Sequence, residues 1–119
     1  MIGLFQENGP CKFVLGQQST TPINNTFSWN NNVNMLYIDQ PLEVGFSLGN
    51  SSATTTKSTA PYVWKFLQAF YSAFPDYKSR DFGIFTESYG GHYGAEFSQY
   101  IQSQNRAKTG EPINLVALG

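Results

Sequence analysis

The sequence is short of the residues that metal sites and nucleic-acid sites need. It holds one cysteine, Cys11, and one histidine, His92, among 119 residues. These two side chains cannot supply the full ligand set that zinc requires, so no metal site is expected. Lys and Arg number 7 and Asp and Glu number 8, which gives a formal net charge of -1. Because no basic cluster is available to neutralise phosphates, nucleic acid is not expected as a partner, and no residue pattern indicates a cofactor.

Long apolar runs and a pair of cysteines are also missing. The longest apolar runs are far below the roughly 20 residues that cross a bilayer, so no membrane span is expected. The amino-terminal residues lack the basic and apolar regions of a signal peptide. A single cysteine cannot close a disulfide within the chain, which is typical of a reduced, intracellular domain. The triplets at residues 24–26 and 50–52 nevertheless fit the N-glycosylation pattern at Asn24 and Asn50, which favours an exported protein, so the compartment stays open at this point.

Apolar residues are plentiful and follow a regular order. They make up 40% of the chain, and aromatic residues 16%, which is enough for a packed core and excludes intrinsic disorder for most of the chain. The hydrophobic pattern predicts strands at residues 35–38, 80–85 and 113–118 and helices at residues 61–74 and 91–104. Residues 16–34 and 45–59 are polar and predict irregular loops.

This order of strand, helix, strand, helix, strand is typical of a parallel sheet with helices on both faces. At 119 residues the chain is one domain or a part of one. A parallel sheet of so few strands would leave an exposed edge and uncovered apolar surface. We therefore expect the chain to be part of a larger α/β domain in a longer protein, which we call the parent protein.

A serine lies where the second predicted strand turns into the second predicted helix. The segment E-S-Y-G-G at residues 87–91 places Ser88 at this corner. In the G-x-S-x-G arrangement a nucleophilic serine occupies such a turn, and here Thr86 replaces the first glycine. The N–H of Tyr89 would face an oxyanion beside Ser88, and Gly91 is expected to let the helix approach the strand. Ser88 is either this nucleophile or an ordinary helix N-cap, and the turn alone does not separate the two.

His92 and two acidic residues are the other candidates for chemistry. A nucleophile on this corner projects away from the helix that follows, so we expect His92 to be a helix residue near the site and not the catalytic base. Without a second histidine the chain cannot form a Ser-His-Asp triad. Glu7 and Glu87, if brought together, would share a proton and donate a hydrogen bond to a substrate carboxylate; otherwise each is a solvated acid.

Three segments occur in an order and at a spacing that indicate one family. They are E-N-G-P-C at residues 7–11, N-M-L-Y-I-D-Q-P followed by V-G-F-S within residues 34–47, and E-S-Y-G-G-H-Y at residues 87–93. These segments resemble the serine carboxypeptidases, particularly secreted fungal members, over nearly the whole chain. The resemblance implies an α/β-hydrolase fold and removal of the carboxyl-terminal residue of a peptide or protein through an acyl-enzyme on Ser88.

The resemblance also implies roles for other residues. Tyr89 would supply one oxyanion N–H, and Glu7 and Glu87 would together hold the terminal carboxylate of the substrate. Because such a pair must keep a proton to bind an anion, an acidic pH preference is implied. Cys11 would form a disulfide with a cysteine outside the chain, in a secreted or vacuolar compartment that also suits the two glycosylation triplets.

The chain also departs from the family pattern. The family segment that supplies the second oxyanion donor and a carboxylate-binding asparagine would lie before residue 1, and the triad Asp and His would lie after residue 119. Glu43 stands where a glycine is common, and Thr86 replaces a more frequent glycine. Residues 1–119 are thus expected to be a partial α/β-hydrolase domain that is inactive without the remainder of the parent chain. The alternatives are a truncated, non-catalytic relative that binds peptide carboxylates, and an acyltransferase or esterase on the same fold.

Overall fold

The computed structural model describes residues 2–14, 16, 20–50 and 52–119. The loops predicted at residues 16–34 and 45–59 therefore include positions, 17–19 and 51, that lie outside the described residues. The chain divides into two compact units, Met1–Asn50 and Ser51–Gly119.

The first unit is built from short elements. A π-helical turn spans Gly3–Glu7, and strands β1 (Cys11–Lys12) and β2 (Ile23–Asn24) pair antiparallel. A 3-10 turn follows at Trp29–Asn31. Because β2 and this 3-10 turn lie within the segment predicted as an irregular loop, that prediction is wrong for this part of the chain.

Residues 35–38 do not form the predicted central strand. Their backbone is irregular, and among the described residues of the first unit β1 and β2 form the only strand pair. An apolar run becomes a strand only where a neighbouring backbone completes its hydrogen bonds, and no described strand pairs with this run. The prediction of a strand at this position is therefore wrong.

The second unit contains the longer elements. They are α1 (Thr56–Ala73), β3 (Phe82–Ile84), α2 (Gly90–Ala107) and β4 (Leu115–Leu118). Strands β3 and β4 pair parallel and α2 connects them, as predicted. The unit is thus a strand–helix–strand motif preceded by a helix. Among the described residues the parallel sheet has two strands instead of the expected three, because residues 35–38 do not form a strand.

Helix α1 begins earlier than predicted. The hydroxyl of Thr55 accepts a hydrogen bond from the N–H of Ser58, and the hydroxyl of Ser58 accepts one from the N–H of Thr55. This capping box satisfies two N–H groups at the helix start and fixes it five residues before Pro61, which lies inside the helix. The prediction that the helix begins at Pro61 is therefore wrong, whereas the prediction that it ends before Pro75 is confirmed, since its last residue is Ala73.

The core of the second unit lies between its two helices and β4. Helix α1 packs against α2, and α2 packs against β4. The buried apolar side chains are Ala60, Val63, Trp64, Leu67, Tyr71, Phe97, Ile101 and Ile113. Those on α1 and α2 lie along one face of each helix, as the helical period requires, and Ile113 lies just before β4. Among the described residues no helix combines the length and apolar character needed to cross a membrane.

Two side-chain amides fix the approach to β4. The side chain of Gln68 bonds the N–H and the carbonyl of Glu111, at 2.7 and 3.0 Å. The side chain of Asn105 likewise bonds the N–H and the carbonyl of Ile113, at 3.0 and 2.7 Å. Each amide makes the pair of hydrogen bonds that a neighbouring strand would otherwise provide. Because Gln68 lies on α1 and Asn105 on α2, both helices hold the segment that leads into β4. This arrangement positions the β3–β4 pair, from which the corner at Ser88 begins.

Candidate active site

Ser88 lies on a strained corner between β3 and α2. Its φ angle is 58°, in the left-handed region, which costs a residue with a Cβ atom about 1 to 2 kcal/mol. The residue is exposed, two positions before the first residue of α2. Such strain is found where the surrounding structure must hold a side chain in one direction. Ser88 therefore has the backbone conformation expected of a nucleophile on a strand-to-helix turn.

Two glycines on α2 allow this corner to be tight. A Cβ atom on Gly90 would lie 2.7 Å from the Cβ of Thr86, and one on Gly94 would lie 2.9 Å from a methyl carbon of Leu118. Gly91, by contrast, faces open space, with no atom within 4 Å of the position of a Cβ. The prediction that Gly91 permits the close approach is therefore wrong, because Gly90 and Gly94 are the residues that lie against Thr86 and Leu118.

The start of α2 offers a backbone donor next to Ser88. The N–H groups of Gly90 and Gly91 bond the carbonyls of Glu87 and Ser88, at 2.8 and 3.0 Å. Within the described part of the chain, the N–H of Tyr89 donates no hydrogen bond, and no side chain caps the helix. An N–H that is unsatisfied at the positive end of a helix is suited to stabilise a developing oxyanion.

Aromatic rings flank the corner on the helix side. The ring of Tyr89 is 60% exposed and lies 4.9 Å from the ring of His92 and 5.3 Å from that of Tyr93. His92 lies on α2, as predicted, and in the described structure no hydrogen bond joins it to Ser88. His92 is therefore placed beside the site without the contact that a general base requires.

The two acidic candidates lie in different units of the chain. Glu87 is exposed and directly precedes Ser88 in the second unit. Glu7 is exposed and is the last residue of the π-helical turn in the first unit. Proton sharing between Glu7 and Glu87 remains a prediction.

The main chain around Glu7 is held by a buried asparagine. The Nδ2 group of Asn25 donates to the carbonyl of Glu7 at 3.2 Å and to that of Gly9 at 2.9 Å. The backbone N–H of Asn25 donates to the carbonyl of Pro10 at 2.9 Å. Asn25 is only 4% exposed, so its amide is directed entirely into this contact and into an Oδ1 bond from the N–H of Phe27. This one residue therefore bonds three carbonyls of the segment at residues 7–10.

The remaining carbonyl of that segment belongs to Asn8. It accepts hydrogen bonds from the hydroxyl of Ser28 at 3.1 Å and from the N–H of Trp29 at 3.0 Å. The amide oxygen of Asn8 accepts a further bond from the hydroxyl of Tyr37 at 2.6 Å. Burial raises the pKa of Tyr37 above its ordinary value, which keeps the phenol protonated as a donor. Asn8 is thus fixed through both its main chain and its side chain.

Sequence reasoning did not find Asn25, Ser28 or Tyr37. Asn25 and Ser28 lie in a polar stretch that reads as a surface loop, and nothing in its composition separates a buried polar residue from an exposed one. The contacts of all three become visible only when the segment at residues 7–10 is folded against them.

The modification candidates lie at accessible or partly accessible positions. Asn24 and Asn50 are exposed, although Asn24 lies in β2 and not in a loop, and the second residue of the triplet at 50–52 lies outside the described residues. Cys11 is a free cysteine, half-buried in β1 and opposite Asn24 across the strand pair. Within the described ranges, no group of three or more His, Cys, Asp or Glu side chains is arranged to hold a metal ion.

Comparison with known proteins agrees with this geometry. The family model of serine carboxypeptidases matches residues 1–119. The chain belongs to the serine carboxypeptidase family. It is 61% identical to Carboxypeptidase S1 of Penicillium janthinellum over 124 aligned residues, which cover 100% of the chain and 29% of that protein.

More distant members of the serine carboxypeptidase family show the same relationship. Carboxypeptidase Y of Komagataella phaffii is 42% identical over 87% of the chain and 19% of its own length. The vacuolar serine-type carboxypeptidase of Saccharomyces cerevisiae is 40% identical over 90% of the chain and 20% of its own length. The family resemblance read from the three sequence segments is therefore confirmed, and the chain spans less than a third of the length of these relatives.

Proposed function

We propose that this chain carries the nucleophile corner of a serine carboxypeptidase, with Ser88 as the residue that forms the acyl-enzyme. The observation that carries the proposal is the conformation of Ser88. It is an exposed serine at a φ of 58° on a strand-to-helix turn, and among the described residues the N–H of the next residue donates no hydrogen bond. An ordinary helix N-cap has an extended conformation, and its side chain accepts from the first N–H groups of the helix; Ser88 has a left-handed φ, and no side chain caps the start of α2 in the described structure.

In the proposed reaction the hydroxyl oxygen of Ser88 attacks the carbonyl carbon of the last peptide bond. The C–N bond breaks, the free amino acid leaves with the proton taken from the hydroxyl, and water then hydrolyses the ester on Ser88. The N–H of Tyr89 stabilises the oxyanion at each tetrahedral stage. The base that moves the proton, its orienting carboxylate and a second oxyanion donor come, in this proposal, from the remainder of the parent chain and not from His92.

The same proposal assigns Glu7 and Glu87 to the free carboxylate at the end of the substrate. An ionised carboxylate can only accept hydrogen bonds, so an acid that holds another anion must carry a proton. A pair of close acids retains a proton more readily than either acid alone. Hydrolysis of free-acid peptides should therefore decline as the pH rises and this proton is lost, which gives an acidic pH preference.

The name of one relative supports an exported or vacuolar parent protein. One relative is named as a vacuolar enzyme, and we infer a secreted or vacuolar compartment for the parent protein as well. Glycans at the exposed Asn24 and Asn50, and a disulfide from Cys11 to a cysteine outside the chain, belong to the same proposal. In such a compartment the partners are the carboxyl termini of peptides and proteins.

The test compares two substitutions in the full-length parent protein. Ser88→Ala should reduce kcat by about a thousandfold or more, because no other group in this account forms the acyl-enzyme. Glu87→Ala, which removes the hydrogen-bonding group altogether, should lower kcat/KM for a blocked dipeptide with a free carboxylate far more than for its amide. Ser72→Ala, at an exposed position on α1, and Glu96→Ala, further along α2, are the matched controls and should leave both substrates unaffected.

Two outcomes would contradict the proposal. Undiminished peptidase activity of Ser88→Ala would show that another residue is the nucleophile. Equal losses on the acid and the amide in Glu87→Ala would refute the role of Glu87 in carboxylate recognition. Turnover of esters without cleavage of any peptide would instead favour an acyltransferase or esterase.

A further inference from the structure

One short loop holds every carbonyl of the segment that carries Glu7. The carbonyls of residues 7–10 all accept hydrogen bonds from residues 25, 28 and 29. On its other side the segment is held by the carbonyl of Gly3, which accepts the N–H groups of Asn8 and Gly9 at 3.0 and 3.2 Å. A main chain bonded on both sides has few alternative conformations, so the direction in which the Cβ of Glu7 leaves it is fixed.

The burial pattern shows that two polar side chains of this loop are shielded from solvent. Asn25 and Ser28 are each 4% exposed, whereas Glu7 itself is exposed. Burying a polar side chain is unfavourable unless its hydrogen bonds are met. Here the hydrogen bonds of both side chains are met largely by the carbonyls of the segment that carries the exposed Glu7. From this arrangement we propose that Asn25 and Ser28 are positioning residues that aim the Glu7 carboxyl at the terminal carboxylate of the substrate.

This inference rests on the proposed role of Glu7 in carboxylate binding and adds the residues that make the role possible. If Asn25 or Ser28 lost its donor, the segment at residues 7–10 would gain conformational freedom. The carboxyl of Glu7 would then spend less time in the binding direction. Substrates with a free carboxylate would bind more weakly, whereas amidated substrates, which do not use this contact, would be unaffected.

The experiment uses Asn25→Asp in the full-length parent protein. This change keeps the shape of the side chain and an acceptor for the N–H of Phe27, but it replaces the Nδ2 donor with an oxygen. For a blocked dipeptide with a free carboxylate, KM should rise roughly tenfold, the size of effect typical of a lost hydrogen bond to a positioned group, with kcat little changed. For the matching dipeptide amide both constants should stay within about twofold.

The chain offers a matched control in the same loop. The side chain of Asn31 donates a hydrogen bond of 2.8 Å to the carbonyl of Thr26, and within the described structure it has no hydrogen bond to residues 7–10. Asn31→Asp therefore removes the same kind of bond and adds the same charge. It should leave the ratio of free-acid to amide activity unchanged. Ser28→Ala should reproduce the effect of Asn25→Asp, and Ser28→Thr, which retains the hydroxyl, should restore binding.

The results separate this inference from the proposed function. Glu7→Ala is measured alongside, and if it leaves the ratio of free-acid to amide activity intact, the proposed role of Glu7 fails and the inference fails with it. If Glu7→Ala lowers the ratio but Asn25→Asp and Ser28→Ala lower both activities equally or neither, only the positioning role is refuted. Thermal unfolding identifies any variant that does not fold; if Asn25→Asp is such a variant, the Ser28→Ala and Ser28→Thr pair decides the question.

Discussion

Glu43 carries a side chain where the backbone favours glycine. Its φ angle is 74°, and its N–H donates to the carbonyl of Ser47 at 2.8 Å, closing a turn. A left-handed φ strains any residue that has a Cβ atom, so glycine would fit this position better than glutamate. Because the side chain of Glu43 is exposed, the positive φ affects the free energy of unfolding more than it affects the packing of neighbouring side chains.

Glu43→Gly should stabilise the parent protein. Relief of the left-handed strain outweighs the greater freedom of glycine in the unfolded chain, and we expect the free energy of unfolding to rise by about 0.5 to 1 kcal/mol. Urea-induced unfolding measures this change. Val44→Gly, at an exposed neighbour without a positive φ, should instead lower the free energy of unfolding. A loss of stability in Glu43→Gly similar to that in Val44→Gly would show that residue 43 is not strained.

The sequence predicts some residues of the site and not others for a physical reason. Ser88 stands in a local motif, and a turn between a strand and a helix depends mainly on residues close to it in the chain. Asn25 acts on residues 7–10 through contacts between positions 15 or more residues apart, and no local pattern encodes them.

At the scale of elements, the corner at Ser88 is closely packed at only one of the first two residues of α2. Gly90 and Gly91 are the first residues of α2, but only Gly90 faces the side chain of Thr86. The order β3, α2, β4 could be predicted from hydrophobic periodicity, which reflects each segment's own burial. Periodicity could not show whether residues 35–38 form a strand, because a strand needs a hydrogen-bonding partner that periodicity does not reveal.

Substitution by alanine should destabilise the protein at Gly90 but not at Gly91. Gly90→Ala would place a Cβ 2.7 Å from the Cβ of Thr86, and we expect a loss of about 1 to 3 kcal/mol as the helix moves away. Gly91→Ala meets no atom within 4 Å and should be neutral or stabilising by up to about 1 kcal/mol, since alanine favours helix. Chemical denaturation of both variants compares them directly. Equal effects at the two positions would contradict the close approach of α2 to Thr86.

At the scale of the whole molecule, the chain exposes apolar side chains that a complete protein usually covers. Phe27, Phe46 and Leu48 are each more than 80% exposed. Such surface is typical of a segment that packs against further chain. This agrees with a chain that spans 29% of Carboxypeptidase S1, and with the proposal that the missing catalytic groups come from the remainder of the parent protein.

The most direct measurement is covalent labelling of the full-length parent protein with a fluorophosphonate, followed by mass spectrometry of its peptides. A fluorophosphonate reacts with a serine only where a base activates the hydroxyl and an oxyanion site stabilises the adduct. We predict a single adduct on Ser88, its absence in Ser88→Ala, and its retention in Ser72→Ala. An adduct on another serine that persists in Ser88→Ala, or no adduct in a protein that still cleaves peptides, would contradict the assignment of Ser88 as the nucleophile.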